Sequence, residues 1–278
     1  MKIFYQGSPG AYSHLAAKKI YPNNNEYVPC KTFEECFKNC IQNENYKTII
    51  PVENSIAGRV ADIQYLINKY KLQIYAEHFQ EIKHNLMAFD GVKIENIKSV
   101  RSHSQAISQC QKIISEFKFE PIIAADTAGS ARFISENKLL NEGAIASELA
   151  AKIYNLKILK NNVEDNKGNV TRFLIMGKNA IHPEFKDKNY ITSCIFKVKN
   201  KPAALYKCLG GFATNNVNLS KLESFSDQNS FEQYLFICEM YGHIEDPKIQ
   251  KSLEELAFHT VTLDILGVYE ASKYRNIK

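Results

Sequence analysis

Apolar residues fall in short runs that alternate with amphipathic stretches over the first 176 positions. Ile3-Phe4-Tyr5 reads as a strand, followed by a Gly-Ser-Pro-Gly turn and a helix over 11–20 with Leu15, Ala16 and Ile20 on one face. Thr32 and Glu35 have the spacing of a capping box ahead of a helix over 33–42. Thr48 to Val52 is a buried-type strand that ends at Glu53-Asn54-Ser55. Strands follow over 72–79 and 86–89, then a helix capped by Ser104 and running to about residue 114. Further strands span 121–124, 144–146, 158–159 and 172–176, with helices opened by Thr127 and Ser147. Repeated strand-then-helix order predicts an α/β part with mostly parallel sheets in two lobes. In such sheets ligands bind off the carboxyl ends of strands, where helices begin.

Residues 179–189 are polar, hold Pro183 and show no period, so they read as a linker. Beyond them the pattern changes. A strand over 190–198 precedes a helix opened by Pro202, then strands over 217–225 and 231–240 joined through residues 226–230. A helix opened by Pro247 and a strand over 261–268 complete a β-α-β-β-α-β order, the ferredoxin-like plan. Two helices cover one face of such a sheet. The other face calls for a second copy, so a dimer is expected. The organisation is therefore residues 1–178, a linker over 179–189, and residues 190–278.

Composition narrows the class without naming it. The chain has 278 residues, an apolar share of 45% and a formal charge of +5. No apolar run is long enough to span a bilayer, and the N-terminus lacks a secretory apolar stretch. A soluble cytoplasmic protein with no membrane partner is the expectation. Lys and Glu are interspersed with no basic tract, which argues against a nucleic-acid partner. The seven cysteines have no paired spacing, so neither a disulfide framework nor a structural zinc site is expected. Cys36 and Cys40 lie one helical turn apart on the face of Phe33, Phe37 and Ile41, a core stripe.

Four polar clusters sit where strands end and helices start: 7–13, Glu53-Asn54-Ser55, 126–130 and 169–173. Helix starts offer free N–H groups and partial positive charge to carboxylates or phosphates. One such cluster reads as ordinary capping by Ser or Thr; four at one edge read as a site for a small polyanion. Within Asn169-Val170-Thr171-Arg172-Phe173, adjacent strand side chains point to opposite faces. Thr171 and Arg172 can share a pocket only at a strand's mouth. The Gly7–Gly10 loop lacks the spacing of a dinucleotide fingerprint and the ending of a P-loop. His14, His84 and His103 read as surface or capping residues rather than bases.

Together these segments resemble the prephenate dehydratase family. Pro51 to Val60 resembles its Pro-x-Glu-Asn-Ser-x-x-Gly-x-Val segment, and 7–13 its opening. His103 to Cys110 resembles its His-Pro-Gln-Ala-Leu-x-Gln-Cys, with Ser104 in place of Pro. Ala144 to Ser147 with Ala150, Ala151, Tyr154 and Leu156 also fits, and Thr171-Arg172-Phe173 matches its Thr-Arg-Phe signature. The resemblance covers nearly the whole chain. It implies a two-lobed, periplasmic-binding-protein-like catalytic domain followed by a ferredoxin-like ACT regulatory domain. It also implies conversion of prephenate to phenylpyruvate, water and carbon dioxide, with no metal or cofactor. It starts at residue 1, so no fused chorismate mutase segment is expected ahead of it.

By that resemblance Thr171 orients or donates to the departing hydroxyl, and Arg172 pairs with a carboxylate or fixes the Thr171 backbone. Glu53 is the carboxyl candidate for a proton source if burial raises its pKa; a structural Glu53 stands level with that. Ser8, Asn54, Ser55, Thr127, Ala128, Asn169 and Phe173 are the expected substrate-binding residues. In the ACT part, Ala203-Ala204-Leu205 stands where phenylalanine-binding relatives carry Gly-Ala-Leu, and Glu223-Ser224-Phe225-Ser226 where they carry Glu-Ser-Arg-Pro. Asn218-Leu219 and Glu223-Ser224 keep the family residues. The expected partners are prephenate, phenylalanine as effector, and further copies in a homodimer or homotetramer. Arogenate as substrate, and a non-catalytic amino-acid sensor, are the alternatives.

Overall fold

The computed structural model describes residues 1–277 except 24, 61–62, 180 and 228–229. The turn expected over 226–230 therefore lies partly outside the described residues. Three sheets are formed by the described residues. The first has the order β2-β1-β3-β11-β5, with β4 paired to β3. Its strands are β1 (Lys2–Gln6), β2 (Glu26–Cys30), β3 (Lys47–Asn54), β4 (Gly58–Arg59), β5 (Gln73–Glu81) and β11 (Val170–Gly177). The second has the order β10-β6-β9-β7-β8. It is built from β6 (Asn85–Ala88), β7 (Ser99–His103), β8 (Glu120–Ala124), β9 (Glu142–Ala146) and β10 (Lys157–Lys160). This is the two-lobed α/β plan that the alternation implies.

Strands β9 and β11 are buried along their whole length, as expected of strands covered on both faces. The sheets are mixed rather than mostly parallel. β7 runs parallel to β8 and β9, whereas β6 is antiparallel to both β9 and β10. Three residues lead from β5 in the first sheet to β6 in the second.

Local chemistry sets the helix ends. Before α2 (Phe33–Cys40), the Glu35 amide donates to Thr32 Oγ1 at 3.1 Å, and Glu35 Oε2 accepts from Lys31 N at 2.7 Å. The single helix expected from Ser104 is two, α4 (Ser104–Ser108) and α5 (Gln111–Phe117). His103 rather than Ser104 caps the first. The second starts because Asp165 accepts the amides of Gln111 and Lys112 at 2.9 and 3.0 Å.

The third sheet, β13-β14-β12-β15, uses β12 (Tyr190–Val198), β13 (Leu219–Asp227), β14 (Ser230–Tyr241) and β15 (Thr260–Glu270). With α8 (Ala204–Thr214) and α9 (Pro247–His259) it has the ferredoxin-like order. Cys194, Phe196, Cys208, Phe212, Cys238, Met240, Ile249 and Leu256 form its core. Pro202 lies ahead of α8 rather than in its first turn, and Ala203 caps that helix with φ +59°.

The described residues form two compact units. One holds 1–39, 48–61 and 78–173; the other holds 40–47, 62–77 and 174–278. Within the second, α3 (Ile63–Tyr70) and the start of β5 lie against the third sheet. Gln64 Nε2 donates to Glu223 Oε2 at 2.7 Å, and Lys71 pairs with Asp264 at 2.8 Å. Gly267 sits under the Ile74 carbonyl, where a Cβ would stand 2.3 Å from that oxygen. Arg275 grips Glu77 with two bonds of 2.7 and 2.9 Å and reaches Glu239 at 3.2 Å. Part of the sheet face expected to await a second copy is thus covered by the chain itself.

Candidate active site

The first unit contains a cavity of about 370 Å³. Its walls come from the ends of the expected strands: Gln6, Gly7, Tyr12 and Ser13 after β1; Asn54 at the end of β3; Asp126 and Thr127 after β8; Asn169, Thr171 and Phe173 on β11. All four polar clusters contribute. α1 (Tyr12–Ile20) and α6 (Thr127–Asn137) begin at the wall. Among the described lining residues there is no Lys or Arg. An anion here would be held by neutral donors and helix starts rather than by a cationic clamp.

A chain of amides fixes the direction of every donor. Asn54 Oδ1 accepts the backbone amides of Ile56 and Ala57 at 3.0 and 2.8 Å. Its Nδ2 must therefore face the other way, where it donates to Asn169 Oδ1 at 2.7 Å and to Thr171 Oγ1 at 2.9 Å. Asn169 Nδ2 then donates to Gln109 Oε1 at 2.8 Å. Thr171 Oγ1 is already an acceptor within this chain, so its own proton is available to a group in the cavity. His84 Nε2 lies 3.0 Å from the same Gln109 oxygen, and its Nδ1 lies 2.8 Å from the Tyr12 hydroxyl. Burial lowers the His84 pKa, while the Gln109 bond and the Glu164 charge oppose the shift. Burial pushes the Tyr12 phenol well above its ordinary range, with nearby Cys110 and Glu164 adding to the effect.

The opening loop is held from behind. Ser147 Oγ donates to the Gly10 carbonyl at 2.5 Å, and Tyr154 Oη donates to the Pro9 carbonyl at 2.8 Å. The Gly10 amide donates to His14 Nδ1 at 3.1 Å, and His14 stacks on Tyr5 with ring centroids 4.8 Å apart. Burial lowers the His14 pKa to about 4, and the nearby Lys18 charge adds to the shift.

Several expected site residues are placed elsewhere. Glu53 is exposed at the β3–β4 hairpin opposite Arg59 and is not among the lining residues, so the burial expected of a proton donor is absent. Arg172 is buried but does not line the cavity, because it alternates with Thr171 along β11. Ser55 is exposed and ties β3 to β11: its Oγ donates to the Gly168 carbonyl and accepts the Val170 amide. Ser8 donates to Asp126 Oδ2 at 3.2 Å. Ala128 is fully buried on the core face of α6. His14 and His84, read from sequence as surface or capping residues, are buried; His103 does cap α4. Tyr12 and Asp126 line the cavity as members of the clusters 7–13 and 126–130, whereas sequence reasoning missed His84 and Gln109 as lining residues. The polar residues Lys83 and His84, directly ahead of β6, were the signal for one of them.

A protein-family model described as "Prephenate dehydratase" matches residues 3–181. The chain belongs to the prephenate dehydratase family. Relatives within it carry different names. The "Bifunctional N-acyl-homoserine lactone acylase/prephenate dehydratase" of Komagataeibacter europaeus is 38% identical over 98% of this chain and 97% of that protein. "Arogenate dehydratase 2" of Petunia hybrida is 35% identical over 97% of this chain and 71% of that protein. The crystal structure of prephenate dehydratase in complex with L-Phe from Arthrobacter aurescens superposes with a TM-score of 0.87. It is 25% identical and covers 98% of this chain and 90% of that one. Among the described residues of this family member, no helix is long and apolar enough to cross a membrane.

Proposed function

We propose that the protein is a prephenate dehydratase. The observation that supports the reading is the orientation of Asn54, which makes Thr171 Oγ1 an acceptor and so leaves its proton for a group in the cavity. Prephenate carries a ring carboxylate and a ring hydroxyl on opposite carbons. Cleavage of the bond to the carboxylate releases carbon dioxide and sends its electron pair into the ring. The bond to the hydroxyl breaks at the far carbon, and the departing oxygen takes up a proton drawn from solvent to leave as water. The ring becomes aromatic, so the protein's task is positioning and help to the leaving group. Thr171 donates to that oxygen as charge builds on it. A neutral hydroxyl is a weak acid, so its contribution is a hydrogen bond that strengthens in the transition state. Thr127, Asn169 and the starts of α1 and α6 receive the carboxylates. Phe173 supplies an apolar wall. Arogenate differs only in bearing an amine in place of the side-chain ketone, and it is the second substrate to be offered.

We further propose that residues 1–178 are the catalytic domain, 179–189 a linker and 190–278 an ACT domain that binds phenylalanine. Its support is a cavity of about 330 Å³ at the start of α8, lined by Ala203, Ala204, Leu205, Lys199, Lys201 and Tyr234 among others. Asn218, Leu219, Glu223 and Ser224 are not among its lining residues, and Glu223 is engaged by Gln64. The protein is proposed to act in the cytoplasm as a homodimer or homotetramer.

The test is phenylpyruvate formation from prephenate by purified protein, with arogenate in parallel and Thr171→Ala as control. Turnover lost in a folded Thr171→Ala supports the reading. Turnover of neither substrate by the wild type overturns it in favour of an amino-acid sensor. Turnover of arogenate alone changes the substrate and keeps the mechanism.

A further inference from the structure

His84 has no role in the mechanism above, yet it is 3% exposed with both ring nitrogens in contact with polar groups. Its tautomer follows from atoms far from the ring. The backbone amides of Ile56 and Ala57 fix Asn54, Asn54 fixes Asn169, and Asn169 fixes Gln109 with its oxygen inward. A carbonyl oxygen only accepts, so His84 Nε2 carries the proton. Nδ1 of the neutral ring is then an acceptor, and the single Tyr12 proton is shared between it and the Lys83 carbonyl, each 2.8 Å from the hydroxyl. The charged groups about the ring are Glu164, which accepts the His84 backbone amide at 2.9 Å, and Asp165 beyond Cys110.

We propose that Tyr12 and His84 are a positioning pair that locks the Gln109 amide, turning its Nε2 group into the cavity as a donor to a substrate carboxylate. Gln109 Oε1 takes two donors, one from Asn169 and one from His84, so both of its lone pairs are used. The amide cannot invert without setting its NH2 against two N–H groups. Its two protons are thereby committed to the cavity wall that Gln109 lines. Gln109 Oε1 sets the Nε2–H form of His84, and the Tyr12 hydroxyl ends the chain beside Nδ1. Such an arrangement gives a cavity without Lys or Arg among its described lining residues a fixed donor for a carboxylate, and a second-sphere histidine sets its direction.

The inference rests on the dehydratase reading for its substrate, and two measurements separate the two. A Gln side chain places an amide nitrogen where His carries Nε2, whereas Asn places one where His carries Nδ1. His84→Gln should keep kcat/KM for prephenate within about threefold. His84→Asn and His84→Leu should lose about tenfold, the equivalent of one hydrogen bond of about 1.4 kcal/mol, mainly through KM. Equal losses in the Gln and Asn variants would mark His84 as filler and overturn the proposal. Nitrogen-15 spectra of the wild-type imidazoles should show His84 as the neutral Nε2–H tautomer near neutral pH, and Tyr12→Phe should perturb its Nδ1 signal. An Nδ1–H tautomer would overturn the pairing whether or not the protein turns over prephenate. Absence of turnover with an Nε2–H tautomer would sink the dehydratase reading and leave the pairing standing.

Discussion

Asn54→Asp exchanges one NH2 group for an oxygen at the point where the amide chain meets Thr171. Asp keeps an oxygen for the Ile56 and Ala57 amides, so the hairpin after β3 loses nothing. The other oxygen would stand about where Nδ2 now lies, 2.7 Å from Asn169 Oδ1 and 2.9 Å from Thr171 Oγ1. The hydrogen bond to Asn169 is lost at about 1 kcal/mol, and two acceptors are forced together there at a further 1–3 kcal/mol. A stability loss of about 2–4 kcal/mol should appear in urea unfolding. The larger effect is on direction. The new oxygen accepts the Thr171 proton, which then no longer points at the cavity. Loss of one donor aimed at developing negative charge lowers turnover by about 100- to 1,000-fold. The added carboxylate also repels a dianionic substrate, which raises KM; the orientation argument demands a fall in kcat itself. Steady-state kinetics on the variant, with a melting curve to show that it is folded, decides the matter. An unchanged kcat with a raised KM would refute the reasoning, because Thr171 would then not depend on Asn54 for its orientation.

His14 has its pKa lowered to about 4 from 6.5, so above pH 6.5 the folded and unfolded forms are both neutral there. As pH falls below 6.5 the unfolded chain takes up the proton first; stability drops until about pH 4 and then levels. The shift sets an upper limit of about 3 kcal/mol, discounted to about 1–2 kcal/mol for residual hydration, and this slope in urea unfolding should vanish in His14→Gln. Gly10→Ala should cost about 3 kcal/mol in the same assay, because Gly10 has φ +94° and an added Cβ would lie 2.7 Å from Ala150 Cα; an unshifted midpoint would mean that the loop relaxes freely. Ala203→Gly should instead stabilise the protein by about 1 kcal/mol, since Ala203 sits at φ +59° in the left-handed region that favours Gly, and a lower melting temperature would contradict that.

The strand ends that build the cavity were legible because their cues are local: an apolar run, a polar cluster, then a helix start. Thr171 and Arg172 were separable on alternation alone, and Thr171 is the one that lines the wall. The amide chain was not legible, since Asn54 and Thr171 are 117 positions apart and Gln109 and Asn169 are 60 apart. His84 was misread for the same reason: its partners Tyr12 and Gln109 lie 72 and 25 positions away. The break between α4 and α5 depends on Asp165, which no pattern near residue 110 announces. Glu53 shows the opposite failure. Its neighbours in sequence carry the site, but the hairpin geometry turns Glu53 itself to solvent.

The contacts of the third sheet with residues 62–77 bear on inheritance. Gln64 meets Glu223, Lys71 meets Asp264, Ile74 overlies Gly267, and Glu77 is gripped by Arg275. Each pair joins a residue from the first third of the chain to one from the last quarter. A tail transplanted from a relative at residue 178 or 190 would arrive without its four counterparts. Glu77 would then be buried opposite whatever the foreign tail supplies, and a side chain larger than Gly at 267 would strike the Ile74 carbonyl. Recombination that preserves folding must therefore carry 62–77 together with the tail. The two stretches should vary in step among relatives although more than a hundred residues of other structure separate them.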